Sequence, residues 1–102
     1  MSFVNLFLVN GTIQLLDYDN KIKETWFVKA DCDEINIQSE MFQTEENDLV
    51  TISNQGKNQS YSGKQLVNQT VSSTFAVEFE SDAFKTNAGF VLRWTCIKPK
   101  QT

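Results

Sequence analysis

The sequence predicts an all-β domain, a sandwich of two antiparallel sheets. Three observations predict it. Apolar residues alternate with polar ones, most clearly from Thr74 to Phe79, where Phe75, Val77 and Phe79 share one face and Ala76, Glu78 and Glu80 the other. Helical periodicity is absent along the chain. Short β-branched and aromatic runs, about eight of them at roughly 8–12-residue spacing, are separated by polar, turn-forming segments.

The elements follow in order. Phe3 to Val9 is a mostly apolar run that reads as an extra N-terminal strand, ending at the turn pair Asn10-Gly11. Thr12 to Leu16 is a short strand, Asp17 to Lys21 a loop, and Thr25 to Val28 an aromatic, β-branched strand. Ala30 to Glu34 reads as a turn. Ile35, Ile37 and Ser39 then alternate with Asn36 and Gln38, and Met41-Phe42 complete a period-two strand. Thr44 to Asp48 is an acidic loop, followed by a strand from Leu49 to Ile52. Ser53 to Lys64, rich in Gly, Asn and Gln, is a hairpin or loop, and Val67 and Val71 frame a weaker strand. After Thr74 to Phe79 comes a loop from Ser81 to Ala88, then a last strand from Gly89 to Ile97. The expected organisation is a single domain over 1–102, with its core at about 10–97, an added strand in 1–9 and a tail in 98–102.

Composition narrows the chemistry. With 40% hydrophobic and 12% aromatic residues, eight of them Phe, the chain is of the globular class. Its net charge of −4 and scattered basic residues argue against a nucleic-acid partner. Histidine is absent, which removes Ser-His and Cys-His nucleophile systems and the commonest metal ligand. Two cysteines cannot by themselves complete a structural zinc site. No segment reaches the ~20 apolar residues of a membrane-spanning helix, and Phe3 to Val9 lacks the features of a signal peptide.

Asn10-Gly11-Thr12, Asn58-Gln59-Ser60 and Asn68-Gln69-Thr70 each satisfy the N-glycosylation rule, and two fall in expected turns. They suggest an oxidising, secretory compartment. Cys32 and Cys96 read either as two unrelated buried thiols or as a disulfide, and that compartment favours the disulfide. Closing so long a loop would stabilise by about 4 kcal/mol in the chain-entropy model.

Five stretches, in order, carry a family resemblance. They are Gly11-Thr12-Ile13 with Tyr18 in the following loop; Trp26-Phe27-Val28; Ile35-x-Ile37 through Phe42; Asn47-Asp48-Leu49-Val50-Thr51-Ile52; and Phe79-Glu80-Ser81-Asp82 followed by Gly89-Phe90-Val91-Leu92. Together they resemble the CUB domain of complement proteases, astacin-like proteinases and spermadhesins, over about 10–96. The resemblance implies a CUB/spermadhesin-like jelly roll that acts as an extracellular recognition module. The cysteines depart from the family pattern: Glu24 or Thr25 stands where a Cys usually precedes the Trp strand, and a second usual pair near Asn47 and Ser62 is missing. Any Cys32–Cys96 bond would be private to this chain.

Many CUB domains hold calcium. Carried over by the resemblance, the ligands would be Glu45 or Glu46, Asp48 and Asp82, with Tyr18 supporting the site. The chemistry suits a hard cation, which takes six to eight oxygens, and an affinity of about 0.1–1 mM would be typical of extracellular modules. Converging carboxylates repel one another, and a cation relieves that. The alternative is a solvated acidic loop edge. A glycosidase would also need two carboxylates, but within a substrate cleft that a domain this small rarely forms, so no enzyme activity is expected.

Trp26, Trp94 and Phe90 sit in strands and are expected in the core. Phe84, in the loop after Asp82, is a candidate ligand contact. The expected function is recognition of a protein or glycan, and the CUB resemblance implies that it depends on calcium and engages the ligand's basic side chains. The alternative is a structural subunit of a fibre or surface coat that forms homo-oligomers through its sheet edges, with Phe3 to Val9 as one such edge.

Overall fold

The computed structural model describes residues 2–5, 10–30, 32–82 and 87–99. Within them the chain forms nine strands: β1 (Ser2–Asn5), β2 (Asn10–Leu16), β3 (Lys23–Lys29), β4 (Cys32–Gln43), β5 (Leu49–Asn54), β6 (Lys57–Tyr61), β7 (Asn68–Val71), β8 (Thr74–Glu80) and β9 (Gly89–Pro99). One sheet has the order β1-β3-β8-β5-β6 and the other β2-β9-β4-β7. Every pairing is antiparallel except β1 with β3, which is parallel. Among the described residues no helix is long and apolar enough to cross a membrane.

The core lies between the sheets and is aromatic. Phe79 of one sheet meets Phe90 of the other at a ring separation of 5.6 Å. Phe75 meets Trp94 edge-on at 6.2 Å. Trp94 and Phe90 are buried, and half-buried Trp26 packs edge-on against Phe90, so all three serve packing. Burial alternates along β8 as its sequence does: Phe75, Val77 and Phe79 are buried, while Ala76 and Glu78 are not.

The structure moves several boundaries. Asn10-Gly11 is no turn; both residues belong to β2, opposite Thr95 and Trp94. Gly11 is there for packing, because a Cβ at that position would lie 2.6 Å from Trp94 Nε1. The expected turn from Ala30 to Glu34 is largely strand, since β4 begins at Cys32 and reaches Gln43 through register shifts. One shift corrects the inner face. Ser39 pairs with Leu92 and Met41 with Val91, so Glu40 is an extra residue bulged out of the ladder. The alternation therefore slips by one, and Phe42, not Met41, enters the core. The released Glu40 carboxylate pairs with Arg93 at 2.6 Å.

Ser53 to Lys64 resolves into a hairpin. β5 and β6 are joined by Gln55 and Gly56, with φ of 51° and 78°. Positive φ at both central residues is the backbone of the tight turns whose twist matches that of the flanking strands. Cys32 and Cys96 form a disulfide that ties β4 to β9. Of the apolar N-terminal run, Ser2–Asn5 pairs with β3 along Trp26 to Lys29; 6–9 lie outside the described residues.

Candidate functional site

Three loops meet at one end of the sandwich: 17–22 between β2 and β3, 44–48 between β4 and β5, and the start of the segment after β8. Backbone bonds fasten the first to the third. Asp17 N donates to Ala88 O at 3.0 Å, Lys21 N to Asp82 O at 2.8 Å and Ser81 N to Ile22 O at 2.9 Å. The Ser81 hydroxyl reinforces them, accepting from Ile22 N at 2.9 Å and donating to Asp19 O at 2.8 Å. Asp17 and Lys21 take positive φ, 52° and 56°, which folds this loop tightly back.

The middle loop is held by Thr44. Its hydroxyl lies 3.0 Å from Asp48 O and 3.2 Å from Glu45 O, and accepts from Gly63 N at 3.0 Å. Asp48 N donates to Glu45 O at 2.9 Å, closing a turn that points the Asp48 side chain inward.

Asp48 is the hub. It is fully buried, with 0% exposure, and both carboxylate oxygens are engaged. Oδ2 accepts from the Tyr18 hydroxyl at 2.6 Å, and Oδ1 accepts from Asp82 N at 2.9 Å. Glu45 N in turn donates to the Tyr18 hydroxyl oxygen at 3.2 Å. One carboxylate thus joins all three loops. The Tyr18 ring packs edge-on against Phe79 at 4.7 Å, anchoring the site on the core. Burial, and then the hydrogen bond to Asp48, push the Tyr18 hydroxyl up to about 12.

The sequence-derived residues divide accordingly. Tyr18, Glu45, Asp48 and Asp82 are brought together, Glu45 and Asp82 through their backbone amides. Glu46 is exposed in the same turn. Among the described residues no three acidic side chains converge closely enough to form a ready-made metal cluster. Phe84 lies outside the described residues. Asn10, Asn58 and Asn68 are all exposed, but they lie in strands β2, β6 and β7, not in turns, because the pairing reaches further into the polar segments than composition suggests. Thr44 and Ser81 are members of the site that sequence reasoning did not assign. Ser81 carried a signal, as the Ser of Phe79-x-Ser81-Asp82; Thr44 carried none.

Beside Asp82 the surface forms a shallow groove of about 200 Å³ lined by Asn47, Leu49, Glu78, Glu80 and Asp82, among others. It combines an exposed leucine with three acidic residues. Lys23 Nζ lies 3.8 Å from the Glu78 carboxylate.

No family model matches the chain, and no curated protein matches its sequence. Its fold does have solved counterparts. The CUB1-EGF-CUB2 domains of rat MASP-1 match with a TM-score of 0.76 at 18% identity, over 94% of this chain and 43% of that one. The MASP-1 CUB2 domain bound to Ca2+ matches with a TM-score of 0.78 at 17% identity, over 90% and 96% of the two chains. The fold is that of a CUB domain. The extracellular region of zebrafish Gpr126/Adgrg6 also contains it, with a TM-score of 0.76 at 17% identity, over 92% of this chain and 14% of that one. This CUB-like sandwich thus spans nearly all of the isolated CUB2 domain but less than half of the multidomain matches. At such identities the likeness is one of architecture, reached with a disulfide that the CUB resemblance did not foretell.

Proposed function

We propose that the chain is an extracellular recognition module whose ligand-facing edge is ordered by calcium at Asp48. The observation that carries this reading is the fully buried Asp48 carboxylate at the junction of three loops. A buried charge is costly unless it is well solvated by its surroundings. Tyr18 and the Asp82 amide supply two hydrogen bonds, yet each carboxylate oxygen keeps lone-pair capacity for a cation. The donors are all oxygen, as calcium prefers, and the loops add carbonyls. Asp48 would hold the ion, with the Glu45 and Asp82 side chains drawn toward it to complete the shell. Glu45 is favoured over Glu46 because its amide already contacts Tyr18, whereas Glu46 is exposed. That a solved domain of the same fold is bound to Ca2+ supports the reading.

The adjacent groove gives the ligand chemistry. Glu78, Glu80 and Asp82 suit a basic side chain on a protein or glycan ligand, and Leu49 suits its aliphatic stem. The role is binding, without catalysis. The test is the unfolding temperature in calcium and in EDTA, for the wild type and for Asp48→Ala. Calcium is expected to raise the midpoint of the wild type and not of the variant. An unmoved wild-type midpoint at millimolar calcium would sink the calcium reading.

A second reading, assembly of a fibre or surface coat through sheet edges, draws on β1. It ends the five-stranded sheet, and its sequence, Ser2-Phe3-Val4-Asn5, is uncharged. Concentration-dependent filaments of the pure protein, insensitive to calcium, would favour it.

A further inference from the structure

The three glycosylation sequons have a placement in the fold that their sequence does not show. Among the described residues the two sheets have four edge strands: β1 and β6 in one, β2 and β7 in the other. Asn10 lies on β2, Asn58 on β6 and Asn68 on β7. Three edges each carry one sequon, and β1 carries none.

Each sequon also faces outward. Along a strand, residues i and i+2 share a face, so the Asn and its hydroxyl partner point the same way. On β2, Asn10 and Thr12 are exposed while Ile13 is buried. On β6, Asn58 and Ser60 flank Gln59, which pairs with buried Ile52; they therefore lie on the face away from the core. On β7, Asn68 and Thr70 are exposed while Val71 is buried opposite Ile35. Asn68 Oδ1 accepts from Asn36 Nδ2 at 2.8 Å, a bond that leaves Asn68 Nδ2, the atom a sugar would occupy, unused. The β6 and β7 edges lie on one flank, joined by the Tyr61 hydroxyl, which donates to Gln69 Oε1 at 2.8 Å. Asn58 and Thr70 border the same depression there.

We propose that N-linked glycans on Asn10, Asn58 and Asn68 shield three of the four sheet edges from pairing with other chains, leaving β1 as the unshielded edge. Edge strands offer unpaired backbone groups that recruit neighbours, and proteins blunt them by covering them. A hydrated glycan beside the ladder would do so by bulk. The covalent step uses a lipid-linked oligosaccharide pyrophosphate as donor. The asparagine Nδ2 forms a bond to the anomeric carbon, the bond from that carbon to the pyrophosphate oxygen breaks, the amide loses one proton, and the lipid pyrophosphate leaves.

The proposal rests on the extracellular reading, and its test separates the two. The full chain, led by a cleavable secretory signal, is produced in eukaryotic cells beside Thr12→Ala, Ser60→Ala and Thr70→Ala, singly and combined. Site occupancy is read by mass spectrometry after glycosidase release in heavy-oxygen water. One glycan per site is expected, each lost in its own variant. Secreted protein with the Cys32–Cys96 bond formed but bare sequons would overturn the glycan proposal and leave the extracellular reading standing; failure of the wild type to leave the cell counts against both. Shielding is tested on the folded wild type, trimmed by an endoglycosidase that leaves one sugar per site. The associated fraction at equal concentration, read by light scattering, is expected to rise severalfold. No rise on trimming would overturn the shielding role.

Discussion

Tyr18 and Asp48, thirty residues apart in sequence, are joined by a buried hydrogen bond of 2.6 Å between the phenol and the carboxylate. This bond ties the loop after β2 to the loop before β5, and through Asp82 N the same carboxylate reaches the loop after β8. One buried carboxylate thereby links three loops at one end of the sandwich.

Alkaline stability reports on that bond. The Tyr18 hydroxyl is raised from 10.0 to about 12 in the folded chain, by burial and then by Asp48. A folded-state value above the unfolded one stabilises fully below about pH 10, and that stability is lost as pH rises toward about 12. Wild-type stability is therefore expected to fall across that window. Tyr18→Phe should be less stable at pH 7, because a buried acceptor loses its donor, and should fall less steeply between pH 10 and 12. Urea midpoints across that range measure both; parallel wild-type and variant curves would contradict the assignment.

Gly11→Ala tests the closeness of β2 to the core. The added Cβ would meet Trp94 Nε1 at 2.6 Å and Trp94 Cε2 at 2.7 Å, and Trp94 is only 1% exposed. The ring has little room to yield, so a loss of about 1–3 kcal/mol is expected from overpacking. Chemical denaturation gives the loss, and near-ultraviolet circular dichroism gives the tryptophan rearrangement.

Gln55→Asn should have the opposite sign. Gln55 holds φ of 51° at the first central position of the β5–β6 turn, with Gly56 at 78° following. Asparagine tolerates this region better, and Asn-Gly is the preferred pair for such turns. An ordinary residue in the left-handed region costs about 1–2 kcal/mol, part of which asparagine relieves, so a gain of up to about 1 kcal/mol is expected, read as a raised thermal midpoint with an unchanged spectrum.

Reducing the Cys32–Cys96 bond opens a loop spanning 64 positions. A loss of about 4 kcal/mol follows from chain entropy alone. The reduced protein, or Cys32→Ala with Cys96→Ala, is expected to unfold at a markedly lower denaturant concentration. Equal midpoints with and without reductant would show that the bond contributes nothing to stability.

Much of the fold was legible because strand signals are local. Phe75, Val77 and Phe79 announce an inward face by spacing alone, and β8 follows them residue by residue. The site was half legible. Asp48, Asp82 and Tyr18 were reached through the order of motifs, and the structure joins them; Thr44 was out of reach, because its bonds to Gly63 and Asp48 depend on how distant segments meet. Asn10-Gly11 misled for a similar reason: its turn propensity is real, but pairing with Thr95 and Trp94 outweighs it.

By itself, then, the sequence determined an all-β sandwich, the approximate places of most of its strands, its aromatic core and the acidic residues worth watching. Tertiary structure alone decided that Glu40 bulges so that Phe42 enters the core, that Asp48 is buried beneath Tyr18, and that each sequon lies on a sheet edge. The physical reason is range. Side-chain alternation is a property of a few neighbouring residues, whereas register, edge position and the meeting of loops are set by pairings between segments far apart in the chain.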